Sequence, residues 1–258
     1  MIHDVCPVTD LHPVAPNMLV LSFRSEAIAA QTRPGQFDNI KVNEWTVPLL
    51  RRPFSVYHVS GGDVQVIFNV IGMGTRILSI KRVGDTIDVL GPLGCSYGLI
   101  GDYDTAVLVA GGLGVAPLPM LTSALRDTRK KLVTLLGART GDQIVPTHLE
   151  NVHLATDDGS TGHHGTVVDL LRSQLERNSY VRPKIFGCGP NVMLNTLASV
   201  AAEFDIPCEV SLESAMACGI GICQGCPVET IDGEKKYALI CKEGTVFDTR
   251  RIKILAHG

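Results

Sequence analysis

Short apolar runs, each closed by turn residues, fill the first hundred positions. Residues 18–24, 50–59, 63–71 and 85–90 are rich in Val, Ile and Phe. Pro34-Gly35, Gly61-Gly62, Gly84-Asp85 and Gly91-Pro92 punctuate them, and such strand-and-turn spacing predicts an antiparallel barrel. The one helical pattern in this half is a short turn over 74–81. From about Asp104 the texture changes to alternation. Strands are predicted over 105–110, 131–137, 153–156 and 184–187, and helices over 117–126, 166–175 and 192–204. Strands that alternate with helices imply a parallel sheet with crossover helices. After Pro207 the pattern changes again, to a glycine-rich stretch with too few apolar residues for a core of its own. The chain therefore reads as all-β followed by α/β, with a barrel over 1–101, a parallel α/β domain over 102–206 and a small third domain over 207–258.

Composition narrows this picture. A chain of 258 residues with 45% hydrophobic and 19% charged positions is neither disordered nor fibrous. A formal charge of −3 gives no basic field for nucleic acid or an anionic membrane. Residues 105–125 carry no charge, but Gly111, Gly112, Gly114, Pro117 and Pro119 interrupt them. A lipid-facing helix would leave that backbone unsatisfied, so a buried strand, a glycine turn and a helix are expected instead. Met1 to Asp10 has neither a basic region nor a continuous apolar run, so no leader is expected there and a cytoplasmic location is.

The unusual entry is cysteine. Cys6, Cys95, Cys188 and Cys208 are scattered, whereas Cys218, Cys223, Cys226 and Cys241 are clustered in the third domain. Their order, Cys-x4-Cys-x2-Cys followed by a distant fourth Cys, is the plant-type [2Fe–2S] spacing. Gly219, Gly221 and Gly225 give the loop the freedom to turn tightly and to aim N–H groups at sulfur. Residues 228–231 and 235–240 are strand-like and flank Asp232-Gly233, a favoured hairpin turn, which would return Cys241 to the cluster. A four-thiolate zinc site is the main alternative, although zinc prefers paired Cys-x2-Cys knuckles and only one such pair exists here.

Two glycine segments suggest a nucleotide site. Gly111, Gly112 and Gly114 lie between an apolar strand and a helix, an arrangement that brings backbone N–H groups to a phosphate. Gly187-Cys188-Gly189-Pro190 follows a later strand in the same way. Ligands of open α/β sheets gather at the carboxyl ends of strands, where both segments would lie. Asp157-Asp158-Gly159-Ser160 ends another strand and is equally readable as a solvated turn. In the barrel, Arg51-Arg52-Pro53-Phe54-Ser55 sets two cations beside a hydroxyl, groups able to clamp a pyrophosphate and hydrogen-bond a ring nitrogen, although taken alone such a segment is more often a surface turn.

Taken in order, Arg52-Pro53-Phe54-Ser55, Gly72-Met73-Gly74-Thr75, Gly91-Pro92-Leu93-Gly94, the 110–117 segment and Gly187 to Pro190 resemble the ferredoxin reductase-like flavoproteins. Ser211-Leu212-Glu213-Ser214 ahead of the cysteine loop narrows the resemblance to the electron-transfer subunits of B-type, NAD-linked dihydroorotate dehydrogenases, essentially from end to end. The resemblance implies an FAD-binding barrel, an NAD-binding domain and a C-terminal [2Fe–2S] domain. It places Arg52, Pro53, Phe54 and Ser55 on the FAD pyrophosphate and ring, Ile67, Phe68 and Asn69 on the next strand along the flavin, and Gly74 and Thr75 at its phosphates. It also places Cys188 near the nicotinamide, where the residue reads equally as a small buried side chain. Members often carry Tyr-Arg or Tyr-Lys at the Phe68-Asn69 position and Gly-Asn-Gly-Phe or Gly-Asn-Gly-Tyr at the Gly94-Cys95-Ser96-Tyr97 position, and this chain departs from both.

Nicotinamide exchanges a hydride and an iron–sulfur cluster exchanges single electrons, so a flavin belongs between them. The implied relay runs from the FMN of a catalytic partner, which oxidises dihydroorotate, through the cluster and FAD to NAD⁺, in a heterotetramer of two subunits of each kind. The same module serving a sulfide dehydrogenase, an NADH-dependent ferredoxin:NADP oxidoreductase or a hydrogenase is the alternative, and a redox-sensing binding protein is a third reading. The acidic ribose partner expected past a glycine turn is not visible after 131–137, where Arg139 stands instead. NAD rather than NADP rests on the resemblance.

Overall fold

The computed structural model describes residues 1–177, 179–231 and 235–255. Six antiparallel strands close the first barrel: β1 (Ile2–Ala15), β2 (Met18–Arg24), β3 (Phe37–Lys41), β4 (Arg52–Ser60), β5 (Asp63–Asn69) and β6 (Thr86–Leu93). Their order is β1-β2-β5-β4-β3-β6. Two strands the pattern did not show, β1 and β3, complete it. Alternation explains the barrel's two faces, because successive strand residues point to opposite sides. Leu21 and Phe23 on β2, Phe54 and Val56 on β4 and Val64, Val66 and Phe68 on β5 fill the interior. Met18, Val20, Tyr57 and Ile67 point outward and pack against the rest of the molecule.

A second correction concerns helices. α1 (Glu26–Gln31) precedes the expected one, α2 (Met73–Leu78). Six residues are too few to show a helical period. α1 is instead specified by its cap, where the Ser25 hydroxyl accepts from the Ile28 N–H and Ile28 is fully buried.

The α/β part follows the expected alternation: β7 (Thr105–Gly111), α3 (Leu118–Arg126), β8 (Lys131–Ala138), β9 (Val152–Thr156), a two-residue β10 (His163–His164), α4 (Val167–Glu176), β11 (Pro183–Cys188) and α5 (Asn191–Glu203). A 3₁₀ turn, Gly112–Val115, joins β7 to α3. The central strands are parallel. One sheet face (Ala106, Leu108, Ala110) meets α3 and the outer barrel wall, and the other (Val107, Val109, Ile185) meets α4, α5 and the C-terminal segment.

That segment contributes β12 (Cys208–Ser211), β13 (Pro227–Thr230), β14 (Tyr237–Leu239), β15 (Val246–Asp248) and β16 (Ile252–Lys253). β12 continues the sheet in parallel beside β11, and β15 adds to it antiparallel. Strand pairing therefore runs through the 206/207 position. β14, β13 and β16 form a separate small sheet. β13 and β14 pair antiparallel as the expected hairpin would, while its Asp232-Gly233 turn lies outside the described residues.

Candidate functional site

Strand register sets the first half of the site. Ala110 stands opposite Cys188 and Gly111 opposite Gly137, so the glycine segments end abreast at the carboxyl edge of the sheet. Gly114 permits the approach. A Cβ there would lie 2.2 Å from the Cys188 carbonyl oxygen and 2.6 Å from Gly189 Cα. Gly189 has φ +155°, and a Cβ on Gly111 would meet Met193 Sδ of α5 at 2.5 Å. Cys188 is sealed at this junction. Burial, and then the charge of Glu213, push its thiol far above the ordinary value, so it is a protonated, packed side chain. Asp157 and Asp158 end β9, two strands away on the same edge. Asp158 is committed locally, accepting from the Ser160 N–H and hydroxyl at 2.9 and 2.6 Å, bonds that hold its carboxyl below the ordinary range.

The barrel wall facing the sheet carries the second half. Face parity divides the expected flavin residues. Phe54 and Phe68 turn inward, their rings 5.7 Å apart in the barrel core, so only their backbones line the outer wall. Pro53, Ser55 and Asn69 stand on the outer face with Ile67. Arg52 lies across the start of α2, where a Cβ on Gly74 would press on its Cγ and Nε at 3.1 Å. The Thr75 hydroxyl is occupied by the turn itself, accepting from the N–H groups of Ile71 and Gly72 at 3.0 and 3.1 Å. Thr75 thus shapes the turn while Arg52 supplies the charge. A cation, a glycine turn and an apolar wall form a cradle fit for a flavin nucleotide.

The third part is the cysteine loop. Gly219, Gly221 and Gln224 have φ of +71°, +84° and +59°, the left-handed turns that let the chain curl around a compact group. Inside the curl, the N–H groups of Ile220 and Cys223 donate to Cys218 Sγ at 3.5 and 3.4 Å. Burial raises the Cys218 thiol, but these donors outweigh it and hold the group down at about 6. The Cys218 thiol interacts with that of Cys223, and the Cys241 thiol with that of Cys226 and, less strongly, with that of Cys218. Cys226 and Cys241 are buried in the core shared by sheet and barrel, and the Ile240 N–H donates to the Cys226 carbonyl at 2.9 Å. Among the described residues no three His, Cys, Asp or Glu side chains gather around one ion-sized point. Two pairs of thiols fit a two-iron core, which takes two thiolates at each iron, better than a single zinc.

Two residues at the barrel–loop contact carried no sequence signal. Asn39 Nδ2 donates to the Cys218 carbonyl at 3.1 Å, and the Thr245 hydroxyl donates to the Gly35 carbonyl at 2.6 Å. Of the scattered cysteines, Cys95 meets this same contact, bridging to Thr245 with its thiol 3.5 Å from the Lys242 carbonyl. Cys6 packs inside the barrel, and Cys208 lies buried on β12.

Comparison with known proteins agrees with this geometry. A family signature described as the iron-sulfur cluster binding domain of dihydroorotate dehydrogenase B matches residues 213–253. A protein of Desulforamulus reducens, "Dihydroorotate dehydrogenase B (NAD(+)), electron transfer subunit", is 36% identical over 254 residues, covering 95% of this chain and 96% of the relative. Its namesake in Geobacillus kaustophilus is 36% identical over 242 residues, 91% of this chain and 92% of the relative. Among solved structures, a chain of the NADH-dependent reduced ferredoxin-NADP oxidoreductase superposes with TM-score 0.86 at 28% identity, over 97% of this chain and 90% of that one. A ferredoxin reductase of carbazole 1,9a-dioxygenase shares the fold, with TM-score 0.67 at 20% identity over 80% of this chain and 67% of that one.

Proposed function

The chain belongs to the family of dihydroorotate dehydrogenase B electron-transfer subunits, and on that premise we propose that it passes electrons from an FMN-bearing catalytic subunit to NAD⁺ in pyrimidine biosynthesis. The observation that carries this reading is the meeting of three thiols of the 218–226 loop with the Cys241 thiol beyond β14, where Cys226 and Cys241 share a core with both the barrel and the sheet. Bound FAD would supply the exchange between single electrons and hydride, and a [2Fe–2S] cluster the single-electron steps.

Each part of the chain has a task in this reading. Residues 1–101 hold FAD: Arg52 and the turn at Gly74 and Thr75 at the pyrophosphate, Ser55, Ile67 and Asn69 along the ring, and Pro53, Phe54 and Phe68 through the backbone that shapes the wall. Residues 102–206 hold NAD against Gly111, Gly112, Gly114 and the Gly187 to Pro190 turn. The packed, protonated Cys188 closes the floor of that crevice and excludes water, while residues 207–258 present Cys218, Cys223, Cys226 and Cys241 to the cluster. The partner is a second protein chain, joined two and two. No helix among the described residues is long and apolar enough to cross a membrane, in keeping with a cytoplasmic location.

The test is anaerobic purification of the full chain followed by assay of iron, sulfide and flavin. The expected result is two irons and one FAD per chain, with NADH bleaching the flavin and the added catalytic subunit making dihydroorotate a reductant. Absence of iron or flavin overturns the reading. A second reading, the same module serving another partner, is favoured by one observation, the likeness to the NADH-dependent reduced ferredoxin-NADP oxidoreductase chain. Bleaching by NADH without any response to dihydroorotate and the catalytic subunit would select it.

A further inference from the structure

Asn39 meets both the expected flavin strand and the first cluster cysteine. On β3 it lies directly opposite Pro53 of β4 and beside Leu90 of β6. Its main-chain carbonyl accepts from Arg51 Nη1 at 3.3 Å, and the same guanidinium binds the Asp88 carbonyl at 2.9 Å and the Asp88 carboxylate at 2.8 Å. The backbone at Asn39 is thus fastened to two strands of the barrel. Its side chain leaves the barrel, and Nδ2 reaches the Cys218 carbonyl at 3.1 Å. Gly219 closes over the amide, since a Cβ there would lie 2.5 Å from Nδ2 at φ +71°.

The residue is expensive as a mere strand residue. It is 1% exposed, and its Oδ1 is buried without a hydrogen-bond partner among the described residues. An unsatisfied buried acceptor is destabilising, and an apolar side chain on the same branched skeleton would avoid it. What the amide supplies is control of one peptide plane. The Cys218 carbonyl and the Gly219 N–H belong to the same planar trans unit and point in opposite directions. Holding the carbonyl on Asn39 points that N–H the opposite way within the plane, away from the barrel. Release of the carbonyl would let the plane swing and alter the donors around the first thiolate, and such outer partners tune a metal centre.

Resting on the function proposed above, we propose that Asn39 is a positioning residue for electron exchange between flavin and cluster. It fixes the Cys218-Gly219 peptide relative to the flavin-bearing strand, and thereby sets both the cluster's potential and its coupling to the flavin. The test compares the full-length wild-type chain with Asn39→Leu, which keeps the branched skeleton at greater bulk and removes both amide groups, and with Asn39→Asp, which keeps the shape and removes the donor.

The expected result has three parts. Midpoint potential of the cluster shifts, the electron paramagnetic resonance signal of the reduced cluster changes shape, and cluster reduction after rapid mixing with NADH slows roughly tenfold relative to flavin bleaching. Variants that change only in thermal midpoint, with potential, signal and transfer rate as in wild type, overturn the proposal and leave Asn39 a structural fastener. If Asn39→Leu fails to fold, Asn39→Asp decides by the same readouts. A wild-type chain without iron or flavin would instead sink the functional reading, so the two failures are distinct.

Discussion

The barrel closes on itself, and its interior, from Cys6 and Val8 to Ile87 and Val89, is filled almost entirely by its own side chains. The described residues of 207–258 have no such interior. Cys226, Val228, Ile240, Cys241 and Ile252 are buried only by joining a core with Phe37 and Leu93 of the barrel and with the α4–α5 face of the sheet. One region is held by alternation and closure, the other by its neighbours and, in the proposed holoprotein, by its metal. A segment that small with so few apolar residues gains its order from ligand bonds and borrowed surface. The difference suits the task, because a rigid barrel fixes one redox group while a loop of tight turns wraps the other.

Removing the metal should break the comparison most sharply. Cys226→Ala takes away one member of the buried thiol pair, and iron content should fall to near zero. Cleavage in limited proteolysis should then move to residues 207–258, while FAD content and barrel protection persist. Fragment masses together with an iron assay check this. Equal protection of both regions in the iron-free variant would show that the segment is held by packing alone.

The barrel has its own flaw, and its correction is the next largest effect. Asp38 lies inside, its carboxyl oxygens without partners among the described residues, and burial pushes the group from 3.8 up to about 8. The folded state therefore holds a proton that the unfolded chain releases near pH 4. The Asp38 contribution to stability is most favourable below that pH, declines as pH rises from about 4 to about 8, and levels off above. Asp38→Val should raise stability at pH 8 by about 1–3 kcal/mol and flatten the slope. Urea denaturation at pH 5, 7 and 9 measures both.

A finer adjustment addresses the joint. Thr245→Ala removes the buried hydroxyl bond to the Gly35 carbonyl and leaves that carbonyl short of a donor. The expected loss is about 1 kcal/mol, confined to the segment. Hydrogen exchange should quicken at β12 and β15 and remain unchanged at β2 and β5. Uniform acceleration would mean that barrel and segment unfold as one unit.

Much of this architecture was legible because it rests on local chemistry. Short apolar runs closed by turn residues announced β2 and β5, and the uncharged, glycine-broken stretch from Thr105 announced β7, its turn and α3. β1 and β3 escaped because Ile2–Ala15 and Phe37–Lys41 interleave polar residues with few apolar ones, and Asp38 and Asn39 argue against burial of the strand that carries them. β12 escaped because four residues after a proline hold no period, and only the open edge of β11 gives them a place. In the site, the cysteine spacing and the glycine turns were readable as written. The inward turn of Phe54 and Phe68 was not, because strand parity requires knowing which face the barrel closes over.

The order of motifs along this chain determined the class of chemistry, since thiol spacing, a glycine turn and a cationic strand end are short-range features that any compact fold must preserve. Only the tertiary structure decided which atoms meet. Asn39 reaches Cys218 across 179 positions of sequence and Thr245 reaches Gly35 across 210, contacts that depend on barrel closure and on β15 joining the sheet. Hydrogen bonds of that range are set by where whole elements pack, and no local pattern of residues encodes them.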